Sequence, residues 1–140
     1  MDWKLEVVLV PVSDVDRAKA FYTEKLGFAQ DLEVKQSDDV AFAQLTPPGS
    51  ACSITIEKGL VDMRPGSLQG LQLVVSDIDA AHRQLVERGV DVTEIRTYDT
   101  DTASWKPLEG EPDQWNAFMF FEDPDGNGWA VQQGRRDADG

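Results

Sequence analysis

Val12-Ser13-Asp14-Val15-Asp16-Arg17-Ala18 returns as Val75-Ser76-Asp77-Ile78-Asp79-Ala80-Ala81, with Val, Ser, Asp, Asp and Ala in the same places and Val15 answered by Ile78. The likeness extends to both sides. An apolar run enters each copy (Val7-Val8-Leu9-Val10 and Leu71-Gln72-Leu73-Val74), and a Gly-apolar pair closes each (Gly27-Phe28 and Gly89-Val90). A period of about 60 residues is too long for a solenoid repeat and fits a duplicated module. Each copy reads as a strand running into a helix whose first turn carries acids, with Ser13 and Asp16 spaced as a capping box. Val15, Ala18, Phe21 or Tyr22 and Leu26 give the first helix its inward face, and Gly27 ends it. Phe21-Tyr22 therefore reads as core.

Around these two points the remaining elements fall into place. Residues 5–12 form a first strand, with Pro11 placing it at a sheet edge or opening because proline lacks a ladder donor. Strands follow at about 29–36, 40–46 and 53–58, separated by Ser37-Asp38-Asp39 and Pro47-Pro48-Gly49-Ser50. Residues 59–69 read as a linker. The second module opens with a strand over 70–76 and a helix over 78–88, with Ile78, Ala81 and Leu85 inward and Val86 a further candidate for that face. A strand over 90–98, an irregular insert over 99–116, a strand over 117–121, the turn Asp123-Pro124-Asp125-Gly126-Asn127 and a last strand over 129–132 complete it. Residues 135–140 read as a flexible polar tail. The fold class is α+β in a single domain of 1–140: a βαβββ module over 1–58 and a second over 70–134. Two such modules joined edge to edge would make a curved mixed sheet with a ligand cavity on its inner face.

The 140 residues are enough for a core without disulfides or metal. Thirteen basic against 26 acidic residues give a net charge of −13, which repels nucleic acid and anionic membranes and attracts cations. Eight of those acids and only Lys106 among bases lie between Asp99 and Asp125. A solvated, solubilising loop accounts for such a run. No apolar run is long enough to span a membrane, the start at Met1-Asp2-Trp3-Lys4 is no secretory signal, and Cys52 is the single cysteine. A cytoplasmic protein is the expectation.

The stretch from Val12 to Tyr22, Leu26-Gly27-Phe28, the echo at Val75 to Ala81 and the closing Asp123-Pro124-Asp125-Gly126-Asn127 together resemble the vicinal oxygen chelate superfamily of glyoxalase I, extradiol dioxygenases, fosfomycin-resistance transferases and bleomycin-binding proteins. The resemblance covers nearly the whole chain. It implies a metal-ligating His seven residues before each helix-start aspartate and a carboxylate on each module's last strand. Counting back from Asp14 gives Val7 and from Asp77 gives Gly70; the carboxylate positions hold Glu57 and Ala130. One ligand of four remains, too few for a metal that wants imidazole or thiolate donors. The sole histidine, His82, lies on the second helix and reads as a surface residue. No metal and no cofactor are expected, and the missing histidines argue against a dioxygenase.

With strand parity carried through, the inner face takes Val7, Leu9 and Pro11 from the first strand, Ser53, Thr55 and Glu57 from the fourth, and Gly70, Gln72 and Val74 from the fifth. Trp129, or its neighbours Ala130 and Gln132, comes from the last. Trp105 and Trp115, with Tyr98, sit among acids in the insert. They serve either a lid that stacks on a cationic or aromatic ligand or a local core that pins the loop to the sheet. The expected function is metal-free binding of a small organic molecule by a homodimer. The alternative is a lyase or isomerase of the glyoxalase type in which Glu57 is the catalytic base or a metal ligand; otherwise Glu57 is an exposed strand-end carboxylate. Cys52 alternates away from Glu57, so covalent catalysis is disfavoured.

Overall fold

The computed structural model describes residues 1–135. They divide into two compact units, one of residues 1–68 with 123–127, the other of residues 69–122 and those from Gly128 on. Among the described residues no helix is long and apolar enough to cross a membrane. The expected tail lies outside the described residues from position 136 onward.

The first unit holds β1 (Val7–Pro11), α1 (Val15–Ala20), β2 (Ala29–Lys35), β3 (Ala41–Thr46) and β4 (Ser53–Lys58), with sheet order β1-β4-β3-β2. β1 runs parallel to β4 and is a sheet edge, as Pro11 required. β3 is antiparallel to both neighbours. The register aligns Val10 with Ile56 and Ile56 with Ala43, so period-2 alternation sends these residues, with Leu45 and Ile54, to the core on one face.

Two local details differ from the sequence reading. The α1 cap is Asp14, whose carboxylate accepts from the Arg17 amide at 3.0 Å, while the Ser13 hydroxyl donates to Asp125 Oδ1 at 2.6 Å. Ser13 is drawn off by a charged acceptor far along the chain, which outcompetes a capping bond. After Ala20 the helix widens into a π turn over Phe21–Lys25. Tyr22 is fully buried within that turn and Phe21 only partly, which settles which ring belongs to the core.

The Asp123–Asn127 turn belongs with this unit and organises it. Asp123 Oδ1 accepts from the amides of Asp125, Gly126 and Asn127 at 2.9–3.0 Å. Its Oδ2 accepts the Tyr22 hydroxyl and Asn127 Nδ2, both at 2.8 Å. Asn127 Nδ2 also donates to the Pro11 carbonyl at 2.8 Å, and its Oδ1 accepts the Leu68 amide at 3.0 Å. Gly66 approaches so closely that a Cβ there would lie 2.0 Å from the Asp125 carbonyl oxygen, and its φ is +80°. Only glycine fits both demands.

The second unit holds β5 (Leu71–Val75), α2 (Ile78–Glu87), β6 (Arg96–Asp99), β7 (Ser104–Pro107), β8 (Phe118–Glu122) and β9 (Gly128–Gln133), with sheet order β5-β9-β8-β6-β7. β5 is parallel to β9, and the other pairs are antiparallel. Asp77 caps α2 through the Ala80 amide at 3.1 Å, matching Asp14 in the first unit, and α2 buries Ile78 and Leu85 but leaves Val86, one residue round the helix from Leu85, exposed. The fully buried Gln133 accepts the Ile78 amide at 2.8 Å and donates to the Ser76 carbonyl. The expected strand over 90–98 is regular only from Arg96, where β6 begins, and the insert is not irregular throughout: it holds β7, which pairs with β6 as a hairpin. Thr93 explains the first difference. Its amide and hydroxyl both bond the backbone of Phe120, at 3.0 and 3.1 Å, in place of a regular ladder.

Removing the acceptor at the centre of the turn should cost far more than removing one of its donors. Asp123→Ala strands a buried hydroxyl and several amides and is expected to destabilise by about 3 kcal/mol or more, against about 1 kcal/mol for Tyr22→Phe. Urea denaturation of both variants checks the difference, and equal losses would remove Asp123 from its central place.

Candidate functional site

In the first unit, the face opposite α1 carries Val7, Leu9 and Pro11 of β1 beside Ser53, Thr55 and Glu57 of β4, with Phe42 and Gln44 of β3 in the same rows. Sequence parity had grouped the β1 and β4 residues in this way. Glu57 is not an exposed strand end, being 1% exposed, and its Oε2 accepts the Leu60 amide at 2.9 Å, tying the carboxylate to the turn that follows β4. Thr55 is likewise buried. Cys52 precedes β4, and its Sγ donates to the Ser53 carbonyl at 3.5 Å.

In the second unit, register and alternation define the face turned away from α2. One row is Gln72–Ala130–Phe120 and the next is Val74–Gln132–Phe118, taken across β5, β9 and β8. Trp129 does not belong to it. It sits one residue out of phase, buried with Val131, and its ring stacks on Phe121 at 6.0 Å on the other face. The sequence left Trp129, Ala130 and Gln132 as alternatives for this face, and the register puts Ala130 and Gln132 on it.

Trp105, from β7, lies against this face. Its ring meets Phe118 at 5.0 Å, Phe120 at 5.1 Å and Tyr98 at 5.0 Å, each edge to face. The hairpin thereby pins itself to the sheet, yet Trp105 stays 42% exposed. That exposed fraction remains available to a ligand. Trp115 stands apart from the ring cluster. It is 53% exposed, with φ of +68°, and it is held by its backbone: its amide donates to the Gln133 carbonyl at 2.7 Å and its carbonyl accepts Gln132 Nε2 at 2.9 Å. Gln132 Oε1 accepts Gln72 Nε2 at 2.7 Å.

Phe118 and Phe120 were not among the residues singled out from sequence. Their alternation against Met119 and Phe121 was visible; which face carried the site depended on the pairing of β8 with β9.

Next to the aromatic cluster lies a cleft of about 600 Å³ lined by Gly70, Thr93, Phe120, Glu122, Trp129 and Ala130 among others, so Trp129 borders the cleft although its ring stacks on the other face of the sheet. A Cβ at Gly70 would meet nothing within 4 Å, so this end of the sheet opens directly into free space. The cleft contains Gly70 and Ala130, two of the positions at which the sequence resemblance implied metal ligands. Neither has a donor side chain, Val7 has none, and Glu57 is engaged with its own turn. Among the described residues no three His, Cys, Asp or Glu side chains gather into a set that could hold a metal ion. His82 is part-buried on α2, its Nε2 3.2 Å from the Thr93 carbonyl, so it supports the backbone instead of lying free on the surface. The donor set does not fit a metal centre.

A model of the glyoxalase/bleomycin resistance protein/dioxygenase superfamily matches residues 4–131. The chain belongs to that superfamily. Among solved structures, TnmS3 from Streptomyces sp. CB03234, an antibiotic binding protein, is 31% identical with a TM-score of 0.73 over 95% of this chain and 97% of that one. A glyoxalase/bleomycin resistance protein from the same organism is 32% identical, with a TM-score of 0.70 over 93% and 100% of the two chains. The protein YetH of Bacillus subtilis (strain 168) is 26% identical over 93% of this chain and 98% of its own length. The α+β architecture described above is shared with these two solved structures.

The hairpin that presents Trp105 is closed by Lys106, whose Nζ lies 2.6 Å from Asp99 Oδ2. That ammonium first, and then the Asp101 amide, hold the Asp99 carboxyl below its ordinary range. A lowered carboxyl pKa stabilises the folded hairpin above the unfolded value of Asp99, and the contribution disappears as pH falls through the folded value. Lys106→Ala should therefore move the Asp99 midpoint upward in a carboxyl-carbon NMR titration. An unmoved midpoint would show that the ion pair does not form.

Proposed function

We propose that this protein binds a flat, aromatic and cationic small organic molecule reversibly on the open face of its second sheet, without metal or cofactor. The observation that carries the reading is the cluster of Trp105, Phe118 and Phe120 on a sheet face that stays accessible beside a cleft of about 600 Å³. Aromatic faces attract flat and cationic groups through stacking and cation–π contact. A net charge of −13 raises the local concentration of cations. The antibiotic binding of the similar TnmS3 supports the same class of function. In this reading the protein works as a cytoplasmic homodimer that sequesters its ligand; Cys52, with no partner for an intrachain disulfide, fits a reducing compartment.

The burial of Glu57 favours a second reading, catalysis by a general base in a lyase or isomerase. Against it stands the bond from the Leu60 amide, which already occupies one carboxylate oxygen.

Titration with 10-methylacridinium, followed by tryptophan fluorescence, separates the two. Trp105→Ala is expected to weaken binding at least tenfold and Trp105→Phe much less, since a ring is retained. Affinity should also fall between about 50 and about 500 mM salt. Glu57→Gln should leave affinity unchanged. If Trp105→Ala, folded by circular dichroism, binds the dye as tightly as the parent, the aromatic face is not the site. Sedimentation velocity tests the dimer, and a monomer at micromolar concentration would refute it.

A further inference from the structure

Resting on that reading, we infer that Gln72 is the specificity-determining residue of the aromatic face and that the ligand must present an N–H or O–H donor to its side-chain oxygen. The Trp115 carbonyl can only accept. Gln132 must therefore turn its NH2 toward Trp115, where Nε2 lies 2.9 Å from the carbonyl oxygen. That orientation points Gln132 Oε1 the other way. Gln72 can meet it only with its own NH2, as the 2.7 Å contact from Nε2 records. The chain of amides thus has one direction, set at its far end by a backbone group that cannot flip. What remains at the near end is Gln72 Oε1, to which no described residue donates, on an exposed side chain.

The setting of that oxygen makes it a ligand contact. Gln72, Ala130 and Phe120 form one row across three neighbouring strands. Two strand spacings put Gln72 about 10 Å from Phe120, the width of a two- or three-ring aromatic system. Ala130 between them is nearly side-chain-free floor. A flat ligand stacked on the Phe120 and Trp105 side would lie over Ala130 and bring its edge to the Gln72 oxygen. Polarisation along Gln72, Gln132 and Trp115 strengthens that oxygen as an acceptor. A lone amide could flip to serve donors or acceptors alike; this one is held as an acceptor. A ligand edge with an acceptor and no donor would meet oxygen against oxygen, and a methylated edge would leave the Gln72 oxygen desolvated and unpaired.

Gln132 is a positioning residue. It touches no ligand but fixes which end of the Gln72 amide faces outward. Trp115, with its backbone at φ +68°, contributes its carbonyl and not its ring.

The test uses two flat cations of similar size: 9-aminoacridinium, which has N–H donors, and 10-methylacridinium, which has none. The full-length protein is expected to prefer 9-aminoacridinium about tenfold. Gln72→Leu should abolish that preference, weakening 9-aminoacridinium and not 10-methylacridinium, and Gln132→Leu should reduce the preference by freeing Gln72 to flip. Equal affinity of the parent protein for the two dyes, or a preference that survives Gln72→Leu, overturns the inference; a loss in Trp105→Ala would still support the aromatic face. If Trp105→Ala binds both dyes as the parent does, the face itself is wrong and the inference falls with it.

Discussion

The carboxylate of Asp123 satisfies three consecutive backbone amides with one oxygen and the Tyr22 hydroxyl with the other, in a buried setting where each of these donors would otherwise lose its hydration. Once that carboxylate is fixed, Asn127 is placed to hold the Pro11 carbonyl and the Leu68 amide. Asp125 is placed to receive Ser13 and Arg17, its Oδ1 lying 3.0 Å from the guanidinium. The end of β1, the start of α1 and the end of the linker are thereby tied to one five-residue turn. The π turn has a purpose in this network: it sets Tyr22, not Phe21, at the position from which a ring can fill the core and a hydroxyl can reach Asp123.

The second unit solves the same problem with a different residue. There the buried Gln133 amide accepts from the first residue of α2 and donates to the Ser76 carbonyl just before it. Duplication has kept the capping aspartates, Asp14 and Asp77, but the two strand-to-helix junctions are secured by unrelated side chains. This difference leaves the sheet of the second unit with polar amides on both faces: Gln133 buried under the helix, Gln72 and Gln132 on the open side.

Hydrophobic burial and aromatic clustering act in opposite directions at the β6–β7 hairpin. Trp105 contributes to stability by packing on Phe118 and Phe120, and the same packing leaves these rings at an accessible face. Up to Pro107 the insert is not a free loop but one arm of a short antiparallel ribbon clamped by Lys106 and Asp99, and that ribbon sets the position of an aromatic wall; residues 108–116 carry no strand.

The duplicated Val-Ser-Asp pattern, the helix stops at Gly27 and Gly89 and the alternation of β4 were sufficient for the α+β class, the module order and the grouping of Val7, Leu9, Thr55 and Glu57 on one face, because caps and period-2 patterns are local properties of the chain. The same letters showed that Val7, Gly70 and Ala130 cannot bind metal, since a side chain without a donor stays so in any fold. What required tertiary structure was every partner chosen across a long sequence separation. Ser13 serves Asp125 and not its own helix, Trp129 falls on the helix side by one residue of register, and Trp105 finds two phenylalanines that no local pattern assigned to it. The direction of the Gln72–Gln132 amides was likewise invisible, because it depends on a backbone carbonyl at Trp115 that only the folded chain brings within reach.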